Sequence, residues 1–164
     1  MNKLSISGIK KLRDLTGAGF LDCKEALENS GLDIDKAIEF LRKKGVSTAQ
    51  KKKNRTASEG LIAISKDQSN KEASIIEINS ETDFVARNKN FQNFVFNLSK
   101  INLDQKGNLD KLMKSKYNNE ENVSDALTNL ISKIGENLTI RRCKYINIDN
   151  GFIGTYVHNV EKDD

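Results

Sequence analysis

Apolar residues recur at helical spacing in the first part of the chain and predict a short helix at its start. This first helix follows Ser5, whose side chain suits an N-cap, and it is predicted to end at Gly17, which can adopt the left-handed conformation. The predicted inward-facing stripe of this helix consists of Ile6, Ile9, Leu12 and Leu15.

Two further helices are predicted in the same region. One runs from Phe20 to a stop at Gly31, and the next follows the N-cap Asp33 and ends at Gly45 with Lys43 and Lys44 in its last turn. The inward-facing positions of these two helices are Cys23, Ala26, Leu27, Ile34, Ala37, Ile38 and Leu41. Each helix is too short to be stable alone, so residues 1–46 are predicted to form one three-helix domain.

The pattern changes after residue 58, where strand-like and helix-like segments are mixed. Asn150-Gly151 is a strong signal for a tight turn between two strands. The predicted strands are 61–65, 73–79, 138–148 and 152–158, and the predicted helices are 91–101, 108–118 (weakly) and 123–134. This order predicts an α+β fold, with a small antiparallel sheet that has helices packed on one face.

Charge is distributed unevenly and supports a division of the chain. Residues 1–58 carry 13 basic and 7 acidic side chains, whereas residues 59–164 carry 14 basic and 16 acidic side chains. The basic residues gather near the junction, so we predict a basic linker helix at 47–58 and an α+β core domain at 59–164.

Composition excludes several classes of protein. Of the 164 residues 37% are hydrophobic and 30% are charged, which is typical of a folded and highly charged protein. No apolar run approaches the length of about 18 residues that a membrane span needs, and the first residues do not resemble a signal peptide. We therefore expect a cytoplasmic protein with no membrane partner, in which both cysteines are reduced thiols.

Sequence signatures of enzymes are missing, and we expect no catalytic site, cofactor or metal. There is no phosphate-binding loop, dinucleotide-binding glycine pattern or serine nucleophile elbow. The single histidine, His158, is more often a surface residue than a general base in such a position. Cys23 lies on the apolar side of its helix, which favours a packed thiol over a nucleophile.

The basic junction raises the alternative of an RNA-binding module. Residues 51–55 carry four cations that suit phosphates, but no aromatic side chains for base stacking lie among them. A solvated linker helix is the favoured interpretation, and nucleic acid is not the expected partner. A further alternative is a helical adaptor that binds an unrelated protein through the three-helix domain.

The segment that joins the second predicted strand to the next helix contains a candidate interaction site. Thr82 or Asp83 suits the start of a helical turn there, which places Phe84 and Val85 just beyond the strand. The pattern alone favours a buried Phe84, because most large apolar side chains are buried. The alternative is an exposed aromatic tip, which would be an interaction site.

Three long motifs give the chain a resemblance to a known family. They are LRDLTGAGFLDCKEAL at residues 12–27, ETDFVAR at 81–87 and KIGENLTIRR at 133–142. In order and spacing they resemble the signatures of the elongation factor Ts family, and the resemblance covers nearly the whole chain.

The resemblance implies a guanine-nucleotide exchange factor for the translational GTPase elongation factor Tu, with a ubiquitin-associated-like three-helix domain at the N-terminus. The positions that match the family's contacts with the GTPase are Arg13, Phe20, Leu21, Lys24, Thr82, Asp83, Phe84, Val85 and His158. Asp83 and Phe84 match the pair that enters the GTPase near its nucleotide.

The resemblance also predicts that further chain belongs to this architecture. Family members commonly continue past the position of His158 into a second core subdomain, whereas this sequence stops at Asp164. We therefore expect a C-terminally shortened form of the family's architecture.

Overall fold

The structure is a computed structural model that describes residues 5–119 and 121–158. Its elements, in chain order, are α1 (Ile6–Thr16), α2 (Phe20–Asn29), α3 (Ile34–Lys52), β1 (Glu59–Lys66), β2 (Glu72–Ser80), α4 (Asp83–Ala86), α5 (Lys89–Asp104), α6 (Leu109–Lys114), α7 (Val123–Ile134) and β3 (Thr139–Asn147).

The three N-terminal helices form where the sequence predicts them. The Ser5 side chain accepts a hydrogen bond from the Gly8 N–H, and Gly17 ends α1 with a φ of 67°. Asp33 caps α3 by accepting a hydrogen bond from the Lys36 N–H. The small core between these helices consists of Ile9, Leu12, Cys23, Ala26, Leu27 and Ala37. The outer members of the predicted stripes lie at the surface instead; they are Ile6, Leu15 and Ile38.

Helix α3 is longer than predicted, and the expected stop at Gly45 is wrong. The helix continues through Gly45 to Lys52, so the predicted domain boundary at residue 46 falls inside a continuous helix. Gly45 is buried, and the place where its Cβ would stand is 3.5 Å from the Ser132 Cβ of α7. A Cβ at this position would make only ordinary van der Waals contact with α7, so Gly45 is a residue of the helix interior and does not end the helix.

Lys44 consequently lies in the middle of a helix rather than in its last turn. Its Nζ is 2.8 Å from an Asp22 carboxylate oxygen and 2.6 Å from a Glu25 carboxylate oxygen, both on α2. The hydrogen bond to Asp22, followed by that to Glu25, raises the pKa of the Lys44 ammonium. These contacts attach α3 to α2.

The sheet has the order β1-β2-β3, and both pairings are antiparallel. Helix α5 covers one face, and α7 completes the layer of helices. The largest side chains buried in this second core are Phe91, Leu98, Ile76, Ile78, Leu112 and Val123. The predicted α+β class, with helices on one face of a small antiparallel sheet, is confirmed.

The predicted fourth strand at residues 152–158 is wrong. The chain after β3 turns toward the β1–β2 hairpin, where the Ile153 N–H donates to the Asn70 carbonyl at 2.8 Å. Lys71 stabilises this course of the chain, because its Nζ donates hydrogen bonds to the carbonyl oxygens of Asp149 and Gly151. Residues 152–157 therefore form an irregular segment that is not paired with β3.

Among the helices of the described ranges, none is long and apolar enough to cross a membrane.

Candidate functional site

The turn after β2 presents one aromatic side chain to solvent. Helix α4 has only four residues, and within it Val85 and Ala86 are buried while the Phe84 side chain is 77% exposed. Successive helical residues point about 100° apart, so anchoring Val85 and Ala86 in the core directs Phe84 outward. The preference of the pattern for a buried Phe84 is wrong, and the exposed alternative is what the structure shows.

The neighbours of Phe84 divide between the surface and the core. Asp83 is exposed in the first turn of α4, and Thr82 is half-buried at the N-cap. Val85, at 5% exposure, is packed in the core of the body and is not accessible to a partner. Val85 therefore supports the turn from beneath.

A second group of candidate residues surrounds the corner between α1 and α2. The Phe20 and Leu21 side chains are 48% and 76% exposed at the start of α2, and Arg13 and Lys24 are also exposed. Leu15, which the sequence pattern places inside, adds a further exposed apolar side chain at 60%. Several large apolar side chains exposed at one corner indicate an interaction surface, with cations at its border.

His158 lies in the irregular segment after β3. It is exposed, and its Nδ1 is 3.4 Å from the Tyr156 hydroxyl oxygen. The two rings are tilted, with centroids 6.2 Å apart. The structure therefore places this histidine at the surface, outside the strand in which the sequence pattern had put it.

Helix α7 and the loop that follows it connect the two candidate surfaces. The end of the Lys133 side chain lies against Gly17 at the α1–α2 corner, where a Cβ on that glycine would require the lysine to move. After α7, the Gly135 carbonyl accepts a hydrogen bond from Lys52 Nζ at 2.6 Å. The same loop continues into Glu136, which contacts the Phe84 turn, so one element touches both surfaces.

The contact between Glu136 and the turn is a feature that sequence reasoning missed. The Glu136 carboxylate accepts hydrogen bonds from the Thr82 N–H at 3.0 Å and from the Thr82 hydroxyl at 2.6 Å. Glu136 lies in the motif at 133–142, but that motif does not indicate which residue its side chain contacts.

Other candidate sites carry little chemistry. Burial raises the pKa of the Cys23 thiol, which disfavours the reactive thiolate. A shallow depression of about 200 Å³ lies on the sheet between side chains that include Ile62, Ile75 and Arg142. Within residues 5–119 and 121–158, no group of three or more His, Cys, Asp or Glu side chains is arranged to hold a metal ion.

Comparison with known proteins identifies relatives. The family model described as Elongation factor TS matches residues 81–163. Elongation factor Ts of Clostridium kluyveri is 48% identical over 153 residues, which cover 92% of this chain and 50% of the relative. Elongation factor Ts of Mesorhizobium japonicum is 44% identical over 161 residues, covering 98% of this chain and 52% of the relative. The corresponding protein of Rhizobium leguminosarum bv. trifolii is 41% identical over 164 residues, covering 99% and 53%. The chain thus spans about half the length of the curated relatives it matches.

Proposed function

The chain belongs to the elongation factor Ts family, and on that premise we propose that it promotes release of GDP from the GTPase elongation factor Tu during translation elongation. The observation that carries the proposal is the exposure of Phe84 on a turn whose next two residues are buried. An apolar ring held out by a rigid turn is suited to inserting into a partner, because ordering it on binding costs little entropy.

The proposed mechanism is displacement of the groups that hold the nucleotide. A GTPase binds GDP through its phosphate loop and Mg²⁺, and Mg²⁺ requires near-ideal octahedral geometry. Phe84, pressed against the partner beside that site, would shift segments that carry ligands of the ion. Asp83 would add a directional hydrogen bond that keeps the ring in register, and His158 would contact the partner nearby.

The corner of α1 and α2 would supply binding energy at a distance from the nucleotide. Phe20 and Leu21 offer apolar area, and Arg13 and Lys24 offer charge at its border. Thermodynamic linkage makes the effect reciprocal: a factor that weakens nucleotide binding is itself weakened by bound nucleotide in the same ratio. GTP would thereby release the factor.

The proposed activity requires no covalent step and no cofactor of this chain, and its proposed place is the cytoplasm. It is also proposed that residues 1–46 and 59–164 act as the two units that engage the partner. Because α3 runs continuously to Lys52, the connection between these units is helical over residues 47–52.

The test is the rate at which a fluorescent GDP analogue leaves purified elongation factor Tu. We expect the chain to accelerate release of the analogue. Phe84→Ala should reduce that acceleration at least about 30-fold, because truncation of an interface hot spot costs about 2 kcal/mol or more. Phe96→Ala is the matched control, since Phe96 is a half-exposed phenylalanine on α5, and it is expected to retain the acceleration.

The outcomes separate the proposal from its alternatives. Equal acceleration by the chain and by Phe84→Ala would refute the role of Phe84. Binding without release would show that this chain docks but does not exchange. Absence of binding would refute the proposed partner and favour the RNA-binding or adaptor alternatives.

A further inference from the structure

The N-terminus of α4 is held by a side chain from a distant part of the sequence. Thr82 occupies the N-cap position, yet its side chain makes no capping hydrogen bond to α4. An N-cap threonine ordinarily accepts a hydrogen bond from the second or third helical N–H. Here the hydroxyl donates to Glu136 Oε1 at 2.6 Å, while the Thr82 N–H donates to Glu136 Oε2 at 3.0 Å. One carboxylate therefore accepts hydrogen bonds from both donors of the N-cap residue of α4.

The hydrogen bonds between residues 81–82 and residues 136–137 are reciprocal. Glu81 Oε1 accepts a hydrogen bond from the Asn137 N–H at 2.6 Å, so each segment supplies a carboxylate to a backbone N–H of the other. Hydrogen bonds to charged groups are roughly twice as strong as neutral ones. These two carboxylate contacts resist rotation of the turn better than one contact would, because they fix two points along the backbone.

The clamping segment is itself rigidly placed. Gly135 ends α7 with a φ of 84°, and this left-handed residue sets the direction of the chain into Glu136. Asn137 is 5% exposed, and its Nδ2 donates to the Arg55 carbonyl at 2.7 Å. The chain that leaves α3 and the Phe84 turn are thus both attached to residues 135–137.

We infer that Glu136 is a positioning residue for Phe84: its carboxylate fixes Thr82 and thereby the direction in which α4 presents the ring. A helix of four residues is far below the length that is stable alone, so its orientation depends on what holds its ends. Glu136 acts through Thr82, two residues before Phe84. The inference rests on the proposed function for its effect on exchange, whereas the positioning itself is measurable without a partner.

The test without a partner is the rate of hydrogen exchange of the Thr82 amide, measured by NMR. We expect Glu136→Ala to accelerate this exchange at least about tenfold, because the amide loses its acceptor. Glu136→Gln is expected to stay within about threefold of the parent, since its carbonyl oxygen accepts the N–H and its amide can donate to the Thr82 hydroxyl oxygen. Glu77→Ala is the matched control, as Glu77 also joins two segments, through Arg142, without touching the turn.

The functional test is a double-mutant cycle in the GDP-release assay. We expect Glu136→Ala to lose about tenfold of the acceleration, Glu136→Gln to retain most of it, and Glu136→Ala to cost less than about twofold once Phe84 is alanine. A merely structural role would reduce the rate equally in both backgrounds. Circular dichroism verifies folding, and Thr82→Val, which removes only the hydroxyl contact, replaces Glu136→Ala if that variant does not fold.

Each result decides the inference. Losses from Glu136→Ala and Phe84→Ala that multiply in the double variant would overturn it, as would full activity of Glu136→Ala beside an active parent. If the parent does not accelerate GDP release, the proposed function fails, and the amide measurement still decides the positioning. Unchanged protection of the Thr82 amide in Glu136→Ala would then overturn it, and lost protection would support it.

Discussion

Replacing Gly45 with alanine distinguishes a third helix that ends at Gly45 from one that continues through it. The two structures predict opposite changes in the free energy of unfolding. If the helix ended at Gly45, the glycine would adopt the left-handed conformation, in which alanine is strained. The structure instead places Gly45 inside α3, buried against Ser132 of α7. Inside a helix, alanine is the better residue, so the substitution is expected to be stabilising.

The expected magnitude follows from the backbone and from the space at this position. Alanine is favoured over glycine in a helix interior by roughly 0.5–1 kcal/mol. The added Cβ would lie 3.5 Å from both the Cβ and the Oγ of Ser132, which is an ordinary van der Waals contact. The free energy of unfolding should therefore rise by about 0.5–1 kcal/mol, equivalent to a few degrees in Tm at most for a chain of this size.

The assay is urea denaturation followed by circular dichroism, with Gly135→Ala as the matched control. Gly135 ends α7 with a φ of 84°, and nothing lies within 4 Å of its added Cβ. That control therefore isolates the backbone strain and should lower the free energy of unfolding by about 1–2 kcal/mol. The reasoning is refuted if Gly45→Ala is destabilised as much as Gly135→Ala.

Three further predictions concern the sheet. Gly60 in β1 has a φ of 136°, and a Cβ there would overlap the Ile78 carbonyl oxygen, so Gly60→Ala should lose more than about 2 kcal/mol in urea denaturation; parental stability would contradict this. Arg142 holds the pKa of Glu77 below its usual value, so this carboxylate stabilises the fold above its unfolded pKa of about 4.3 and loses that effect as pH falls through the folded pKa. Glu77→Gln should thus be less stable than the parent by under about 1 kcal/mol at pH 7, and this difference should shrink as the pH falls through the folded-state pKa of Glu77, whereas a difference that does not change with pH would exclude this cause. Burial raises the pKa of the Cys143 thiol, so its reaction with a disulfide reagent at pH 8 should be slower in the folded chain than in urea, and equal rates would count against this account.

Elements that depend on local interactions were predictable from the sequence. Ser5 and Asp33 cap their helices as expected, and Gly135 ends α7 at the expected residue. The β1–β2 hairpin also forms between the predicted strands. Capping, left-handed stops and apolar periodicity involve residues within a few positions of one another, so they are visible in any single stretch of sequence.

The predictions of secondary structure were wrong where contacts with a distant part of the chain determine the local structure. The local sequence predicts a helix stop at Gly45. In the structure α3 continues past Gly45, because the surface of α7 at Ser132 accommodates the continuing helix. The segment 152–158 has the pattern of a strand, yet Lys71 and Asn70 of the β1–β2 hairpin hydrogen-bond the chain between residues 149 and 153, and the segment does not pair with β3. Local propensity for a strand is overridden where tertiary hydrogen bonds direct the chain elsewhere.

The candidate site shows the same division. The motif at 81–87 and a helical turn near Thr82 are visible in the amino-acid sequence, and the resemblance of the motifs supplied the expected partner. The burial of Val85, the exposure of Phe84 and the contact of Glu136 with the turn from 54 positions away follow from the folded arrangement of the chain. The physical reason is that an apolar pattern records which side chains prefer burial, whereas the packing of sheet, α5 and α7 decides which of them find a core to enter.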